Sequence, residues 1–257
     1  VQGYGLFFDN SCHSHFDLGA SHPDRLRFAA TAGELRYYFL YGPDLRTVIE
    51  HYTELTGRMA LPPRWALGFQ QSRWSYSPAS QVREVARQFR ARAIPCDAIY
   101  LDNHYMRGFR CFTWHRRRFP DPRALVADLR AAGFHTVVAM DPAIKVDHRY
   151  EACASGLQED VFCKYPDGDP VAAPVRPGDA YFPDFTAPRT RRWWARLYHD
   201  LLVEAGVAGI WTEMNEPTVI GPASGDTLPN EVLHDCEGLG ATHAEMHNVY
   251  ALQMARA

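Results

Sequence analysis

The sequence predicts an α/β protein, the first half (four strand-helix units) of a (β/α)8 TIM barrel, preceded by the end of a β-sandwich domain. Three observations lead there. Apolar runs of strand length alternate four times with segments of helical periodicity. An unusual polar or aromatic residue follows each run, namely Trp74, Asp102, Asp141 and Glu213. The glycine fingerprint of dinucleotide-binding open sheets is missing. Successive strand-helix units imply parallel strands with right-handed crossovers. In a barrel, the C-terminal ends of those strands converge on one mouth, where such folds do chemistry.

In chain order, residues 4–41 read as short extended stretches separated by turn residues. Leu6-Phe7-Phe8, Leu26-Arg27-Phe28 and Leu35 to Leu40 are the stretches, with Asn10, Gly19, Pro23 and Gly33 between them. Pro43-Asp44 opens a helix that places Leu45, Val48, Ile49, Tyr52 and Leu55 on one face and stops at Gly57. Leu61-Pro62-Pro63 marks a border, giving a first domain over 1–58 and a partial catalytic barrel over 59–257. Trp65 to Phe69 reads as the first buried strand, and Ser77-Pro78 opens a helix carrying Val82, Val85, Ala86 and Phe89. Cys96 to Leu101 is the second strand. Asp121-Pro122 caps a helix with Leu125, Val126 and Leu129 that ends at Gly133, before a third strand over Thr136 to Met140. Thr186 and Pro188 precede a helix with Trp194, Leu197, Leu201 and Ala205, and Val207 to Trp211 is the fourth strand. A full barrel needs eight units, so the chain is expected to be cut, inside a last helix that includes Tyr250 and Met254 and before a front that begins with Val1.

Composition narrows the function classes. The 257 residues carry 27 Lys plus Arg against 30 Asp plus Glu, a net charge of -3, with 46% hydrophobic and 22% charged residues. That balance fits a globular chain and argues against a nucleic-acid partner, which wants a concentrated basic face. No apolar run reaches the roughly 18–20 residues that cross a bilayer, so no membrane partner is expected. The six cysteines show no paired metal-type spacing and read as reduced thiols of a cytoplasmic protein, with a lost signal peptide left open. Cys12-His13-Ser14-His15 offers ligand types but no second cluster, so it reads as a strand edge or loop. No metal and no cofactor is expected, and the oligomeric state is not fixed.

Chemistry concentrates in Trp211-Thr212-Glu213-Met214-Asn215-Glu216-Pro217. A carboxylate beside an aromatic wall at a strand end suits attack on a sugar's anomeric carbon. Glu213 is the better placed; Glu216, three residues further on, reads as a brace of the following loop. Gly209 to Pro217 resembles the nucleophile signature of glycoside hydrolase family 31, the retaining α-glucosidases, α-xylosidases and transglucosylases. Four further stretches agree in order. They are Gly68-Phe69-Gln70-Gln71-Ser72-Arg73-Trp74-Ser75-Tyr76, Tyr100-Leu101-Asp102-Asn103-His104-Tyr105-Met106, Asp141-Pro142-Ala143-Ile144 and Phe182-Pro183-Asp184-Phe185-Thr186.

The resemblance implies roles. Glu213 stands at the nucleophile position, and Asp102 at that of the aspartate that holds distal sugar hydroxyls. Trp74, Ile144, Trp211 and Met214 match residues lining the same subsite, and Asp141, before a proline, reads as a brace beneath it. The implied partner is an α-linked oligosaccharide or glycoside. Two departures stand out. The family's nucleophile is an aspartate, one methylene shorter than Glu213. Its α-glucosidases also usually carry a tryptophan where Arg176 stands in Val175-Arg176-Pro177-Gly178. A guanidinium cannot reproduce an indole wall and favours an anionic or differently decorated sugar. The family's acid/base residue lies on later strands and has no match here, so this chain alone is expected to be inert. Two other readings remain: a carbohydrate-binding or degenerate homologue without turnover, and a barrel enzyme holding a divalent metal on Asp102, Asp141 and Glu213.

Overall fold

The computed structural model describes residues 3–221 and 227–257, in two compact units. One comprises the chain up to Pro62 together with Ala244–Asn248, and the other Pro63–His243 with Val249–Ala257.

The first unit holds two antiparallel ribbons. Strand β1 (Gly3–Phe8) is followed by β2 (Ser14–Leu18), β3 (Leu26–Ala30) and β4 (Tyr37–Gly42); β1 pairs with β4, and β2 with β3. Phe8, Phe16, Phe28 and Tyr37 meet ring to ring and join the ribbons. Helix α1 (Leu45–Thr56) starts where the Asp44 carboxylate accepts from the Thr47 N–H, and ends at Gly57 with φ 101°, a conformation costly to any residue with a Cβ.

The second unit is built on a four-stranded parallel sheet. Its strands are β5 (Gln70–Gln71), β6 (Ala98–Leu101), β7 (His135–Met140) and, last in the chain, Gly209–Thr212; in space they lie in the order in which the chain makes them, each paired parallel with the next. Helix α2 (Ala79–Ala91) connects β5 to β6, and α3 (Pro122–Ala131), capped by Asp121 on the Ala124 N–H, connects β6 to β7. Ile99, Leu101, Val138 and Met140 on the strands join Val82, Ala86, Leu125 and Leu129 on the helices in one buried core. Burying one such side chain contributes about 1.5–3 kcal/mol, so this layer is the main adhesive of the unit.

The first strand lies later than the sequence suggested. Trp65 to Phe69 is not a buried strand: Arg64–Leu67 form a 3₁₀ turn, Leu67 and Phe69 are exposed, and pairing begins at Gln70. The Trp65 ring stacks on His135 at 4.4 Å, and Gly68 packs so closely on Asp97 that a Cβ there would lie 1.8 Å from its Oδ2. An apolar run bounded by turns reads as a strand in sequence; here side-chain stacking and the glycine contact fix a turn instead.

Between β7 and the fourth strand the chain makes an excursion that periodicity did not show. Strand β8 (Ile144–Lys145), α4 (Glu151–Gln158), β9 (Ala172–Val175) and β10 (Gly178–Tyr181) precede α5 (Pro188–Leu197). The three strands form a separate antiparallel sheet in the order β8, β10, β9, with Arg176-Pro177 as the turn joining β9 to β10. Beyond α5 a π-helical turn over Asp200–Glu204 leads into β11 (Gly209–Thr212), the fourth parallel strand. A two-residue pair, β12 (Leu233–His234) with β13 (Ala241–Thr242), and the helices α6 (His243–Met246) and α7 (Tyr250–Ala255) complete the chain. All six cysteines are free thiols.

Candidate active site at the strand ends

Parallel pairing puts Asp102, Asp141 and Glu213 one residue past the ends of three adjacent strands. Thr212 is in register with Met140 and Leu101 with Val138, and the Glu213 N–H donates to the Met140 carbonyl at 3.2 Å. Asp102 is 8% exposed and its Oδ1 accepts from the Asn103 N–H at 2.6 Å. Asn103, which the sequence reading left without a role, is the residue that joins the three ends. It opens a 3₁₀ turn, is 1% exposed, and its Nδ2 donates to Glu213 Oε1 at 3.0 Å and to Asp141 Oδ2 at 3.4 Å. One side-chain amide thus serves two carboxylates, one hydrogen for each. The only sequence signal was its place inside the Asp102 motif.

Crowded carboxylates under partial burial hold protons more tightly. Burial, then the Glu213 charge, push Asp141 up to about 7, against the lowering pull of Arg176 and of the Asn103 hydrogen bond. Glu213 is raised by burial and by the Asp102 charge, while hydrogen bonds from Asn103 and Asp141 and the charge of Arg176 oppose the rise. Asp141 Oδ1 is buried without a hydrogen-bond partner, which fits a group that is readily protonated. Asp141 and Glu213 are therefore neighbours linked through the Asn103 amide, each affecting how tightly the other holds a proton.

The remaining expected residues fall around this centre in different ways. Trp211 lies on the sheet face turned away from the helices, edge-on to Tyr100 at 6.0 Å, and the Tyr100 hydroxyl is bonded to Gln70 Oε1. Trp74 is 62% exposed; its ring meets His104 edge-on at 5.4 Å, and the Arg176 guanidinium lies 5.0 Å from its centroid. His104 in turn bonds Ser75 Oγ at 2.9 Å through Nδ1. Arg176, at the β9–β10 turn, and Met214, held at φ 53°, line a small pocket together with Asp141, Val175 and Thr218. Ile144 is wholly buried on β8 beside Tyr181 and belongs to the core, not to that pocket. Glu216 is exposed and accepts from Thr218 Oγ1 at 2.6 Å, a contact within its own loop.

The chemistry these groups offer is that of hydroxyl acceptors, aromatic faces and one cation. Carboxylates accept hydroxyl hydrogens, indole faces cover the apolar face of a pyranose, and a cation stands at one side. The three strand-end carboxylates do not bring one oxygen each within 4.8 Å of one another. Among the described residues, the one set with potential ligand atoms that close together is Cys163, Asp184 and His234, behind the site.

Known proteins resemble this chain in sequence and fold. A profile of the glycosyl hydrolases family 31 TIM-barrel domain matches residues 59–257. The chain is 44% identical over 254 residues to Alpha-glucosidase 2 of Bacillus thermoamyloliquefaciens, covering 99% of this chain and 32% of that protein. It is 33% identical over 271 residues to an alpha-glucosidase of Saccharolobus solfataricus, covering 98% and 39%. Among solved structures, a GH31 dextranase of Flavobacterium johnsoniae complexed with glucose superposes with a TM-score of 0.85 at 34% identity, over 98% of this chain and 30% of that one. The chain spans about a third of the length of the curated relatives it matches.

Proposed function

The chain belongs to glycosyl hydrolase family 31, its four parallel strands being half of a TIM barrel, and we propose that it carries the nucleophile side of a retaining α-glycosidase acting on α-linked glucosides. The observation that carries this reading is the grouping of Glu213, Asp141 and Asp102 at adjacent strand ends, with Asn103 orienting Glu213. Ionised Glu213 attacks the anomeric carbon as the bond from that carbon to the leaving oxygen breaks. The resulting glycosyl ester is then opened by water, and two inversions give net retention.

A proton must reach the leaving oxygen. Asp141 is a poor candidate for it, because it sits at the end of the strand next to Glu213 and shares the Asn103 amide with it, whereas the acid of a retaining pair stands about 5–5.5 Å away across the glycosidic bond. Its part is to brace the nucleophile, and the family resemblance puts the acid on later strands of the barrel. In this reading Asp102 accepts sugar hydroxyls, and Trp74, Trp211 and Met214 wall the glycone. The glucose-bound relative supports a glucosyl unit as the ligand. Product from an activated α-glucoside, released by a polypeptide that carries the later strands and followed by NMR, is expected first as the α-anomer; initial β-anomer would sink the proposal.

Arg176 bears on the choice of sugar. Its guanidinium stacks on Trp74 and its charge reaches Glu213 and Asp141, so a substrate with an anionic group beside the glycone gains a partner there. Arg176→Trp is expected to move preference toward plain α-glucosides. An unmoved ranking across neutral and anionic glycosides would return Arg176 to a purely structural part.

A second reading keeps the pocket without turnover. The observation favouring it is the length of Glu213, one methylene more than the family's aspartate, since attack on the anomeric carbon depends on close placement. Stabilisation by glucose with no product from any activated glycoside, in a polypeptide that carries the later strands, would select it.

A further inference from the structure

Behind the strand ends a buried chain of polar groups crosses from one family motif to another. Asp184, in the Phe182 to Thr186 stretch, is 5% exposed, and its Oδ1 meets His234 Nδ1 at 3.0 Å. His234 Nε2 meets His243 Nδ1 at 3.0 Å, with the two rings stacked, and His243 Nε2 meets Thr227 Oγ1 at 3.2 Å. Thr227 Oγ1 donates to the Pro217 carbonyl at 2.6 Å. Pro217 lies in the loop that begins at Glu213. That loop is tied at its start by the Glu213 N–H to Met140 and at its far side by the Ile220 N–H to Pro174, which leaves the Thr227 contact as a tie in its middle.

Hydrogen counting shows how the chain is held together. The burial of Asp184 raises its pKa, but hydrogen bonds from His234, Thr186 and the Asp235 N–H, with the His234 charge, outweigh it and bring the net below the ordinary value. An ionised Asp184 only accepts, and the Pro217 carbonyl only accepts. Four links run between these two acceptors, whereas two neutral imidazoles and one hydroxyl bring three hydrogens. All four links are made when one ring carries a second proton, balanced by Asp184.

We propose that Asp184, His234, His243 and Thr227 form a single proton-sharing relay whose task is to fix the loop behind Glu213, His234 and His243 being positioning residues. The relay acts through the loop's middle tie, so it sets where Glu213 and Met214 stand without touching a ligand. The meaning of that placement for catalysis rests on the glycosidase reading; the placement itself does not. Cys163, whose Sγ lies 3.8 Å from His234 Nδ1, completes a set with metal-binding composition. Asp184 Oδ1 already accepts from the Thr186 N–H and hydroxyl, and Oδ2 from the Asp235 N–H, so the hydrogen-bonded arrangement needs no ion.

The test is hydrogen exchange at residues 213–218 in the intact chain. Thr227→Val keeps the shape and removes the hydroxyl, and is expected to speed exchange of the Glu213 and Thr218 amides by about 10-fold, the effect of one lost hydrogen bond. Thr227→Ser restores the hydroxyl and is expected to restore protection. Asp184→Asn is expected to loosen the same amides, with the double variant no faster than either single one. Nitrogen NMR of the wild-type chain is expected to show one ring protonated at both positions. Exchange unchanged in Thr227→Val, additive effects in the double variant, or an intense thiolate band on adding Co²⁺ would each overturn the relay. None of these readouts needs turnover, so they test the relay in the chain as it stands, while an inactive polypeptide that carries the later strands would count against the glycosidase reading alone.

Discussion

Glu213 is one methylene longer than the aspartate its family uses, and the structure shows what holds the longer side chain. Asn103 fixes one oxygen and also donates to the neighbouring Asp141. The flanking Trp211, Met214, Asn215 and Glu216 all match the family pattern, with no compensating change beside the longer residue, so Glu213→Asp in an active protein is expected to raise turnover about 10- to 100-fold, or about 1.4–2.7 kcal/mol of recovered transition-state stabilisation. A fall in turnover between equally folded forms would show an adapted glutamate. Asp141 gives a second test. A carboxyl whose folded pKa is raised from 3.8 to about 7 is one the folded chain prefers neutral. Folded protein then binds more proton than unfolded chain across that window, and its stability falls as pH rises through it. Asp141→Asn mimics the neutral form, so its melting temperature is expected to match wild type near pH 4 and to exceed it by several degrees at pH 8. Equal curves at both pH values would remove the strain from Asp141. Asp102, Asp141 and Glu213 were legible in the sequence because a carboxylate straight after a buried strand is unusual in itself. Asn103 was not, since its value lies in touching residues 38 and 110 positions away.

Elements with strong local signals were legible, and those fixed by tertiary contact were not. Helices α1 and α3 could be read from their aspartate caps, their apolar stripes and their terminal glycines, because each signal acts within one turn of chain. Strands of two to four residues such as β8, β9 and β10 span less than one full alternation or carry Pro174 and Gly178, so no period can show them. The 3₁₀ turn at Arg64–Leu67 misled for the opposite reason, having a strand's composition without a strand's partner. Helix α4 offers a test of packing at this scale. A Cβ at Gly156 would lie 2.4 Å from Phe162 Cζ, and Phe162 packs edge-on to the buried Trp193 at 6.0 Å. Gly156→Ala is therefore expected to cost about 1–3 kcal/mol in urea unfolding, the usual penalty of overpacking. A change below about 0.5 kcal/mol would mean the Phe162 ring gives way freely.

At the scale of the molecule, β5 and β11 each have a single parallel neighbour, where a closed barrel gives every strand two. The count of four strand-helix units was legible because each unit announces itself; the antiparallel excursion between β7 and α5 was not, since nothing in a repeating grammar announces an interruption. The chain by itself is expected to release no product from an activated α-glucoside, because the family resemblance puts the acid on later strands, while a polypeptide with those strands is expected to turn over. Release by the 257-residue chain at comparable rates would place the acid within it. The excursion also separates two kinds of inheritance. Arg176 rides on the two-residue tip of a hairpin whose second strand, β10, pairs with β8, outside the parallel sheet that carries the carboxylates. Residues 175–178 can therefore drift, or be exchanged as a cassette by a protein engineer, so that under the glycosidase reading the wall offered to one sugar over another is revised while the backbone that carries the three carboxylates is handed on unaltered.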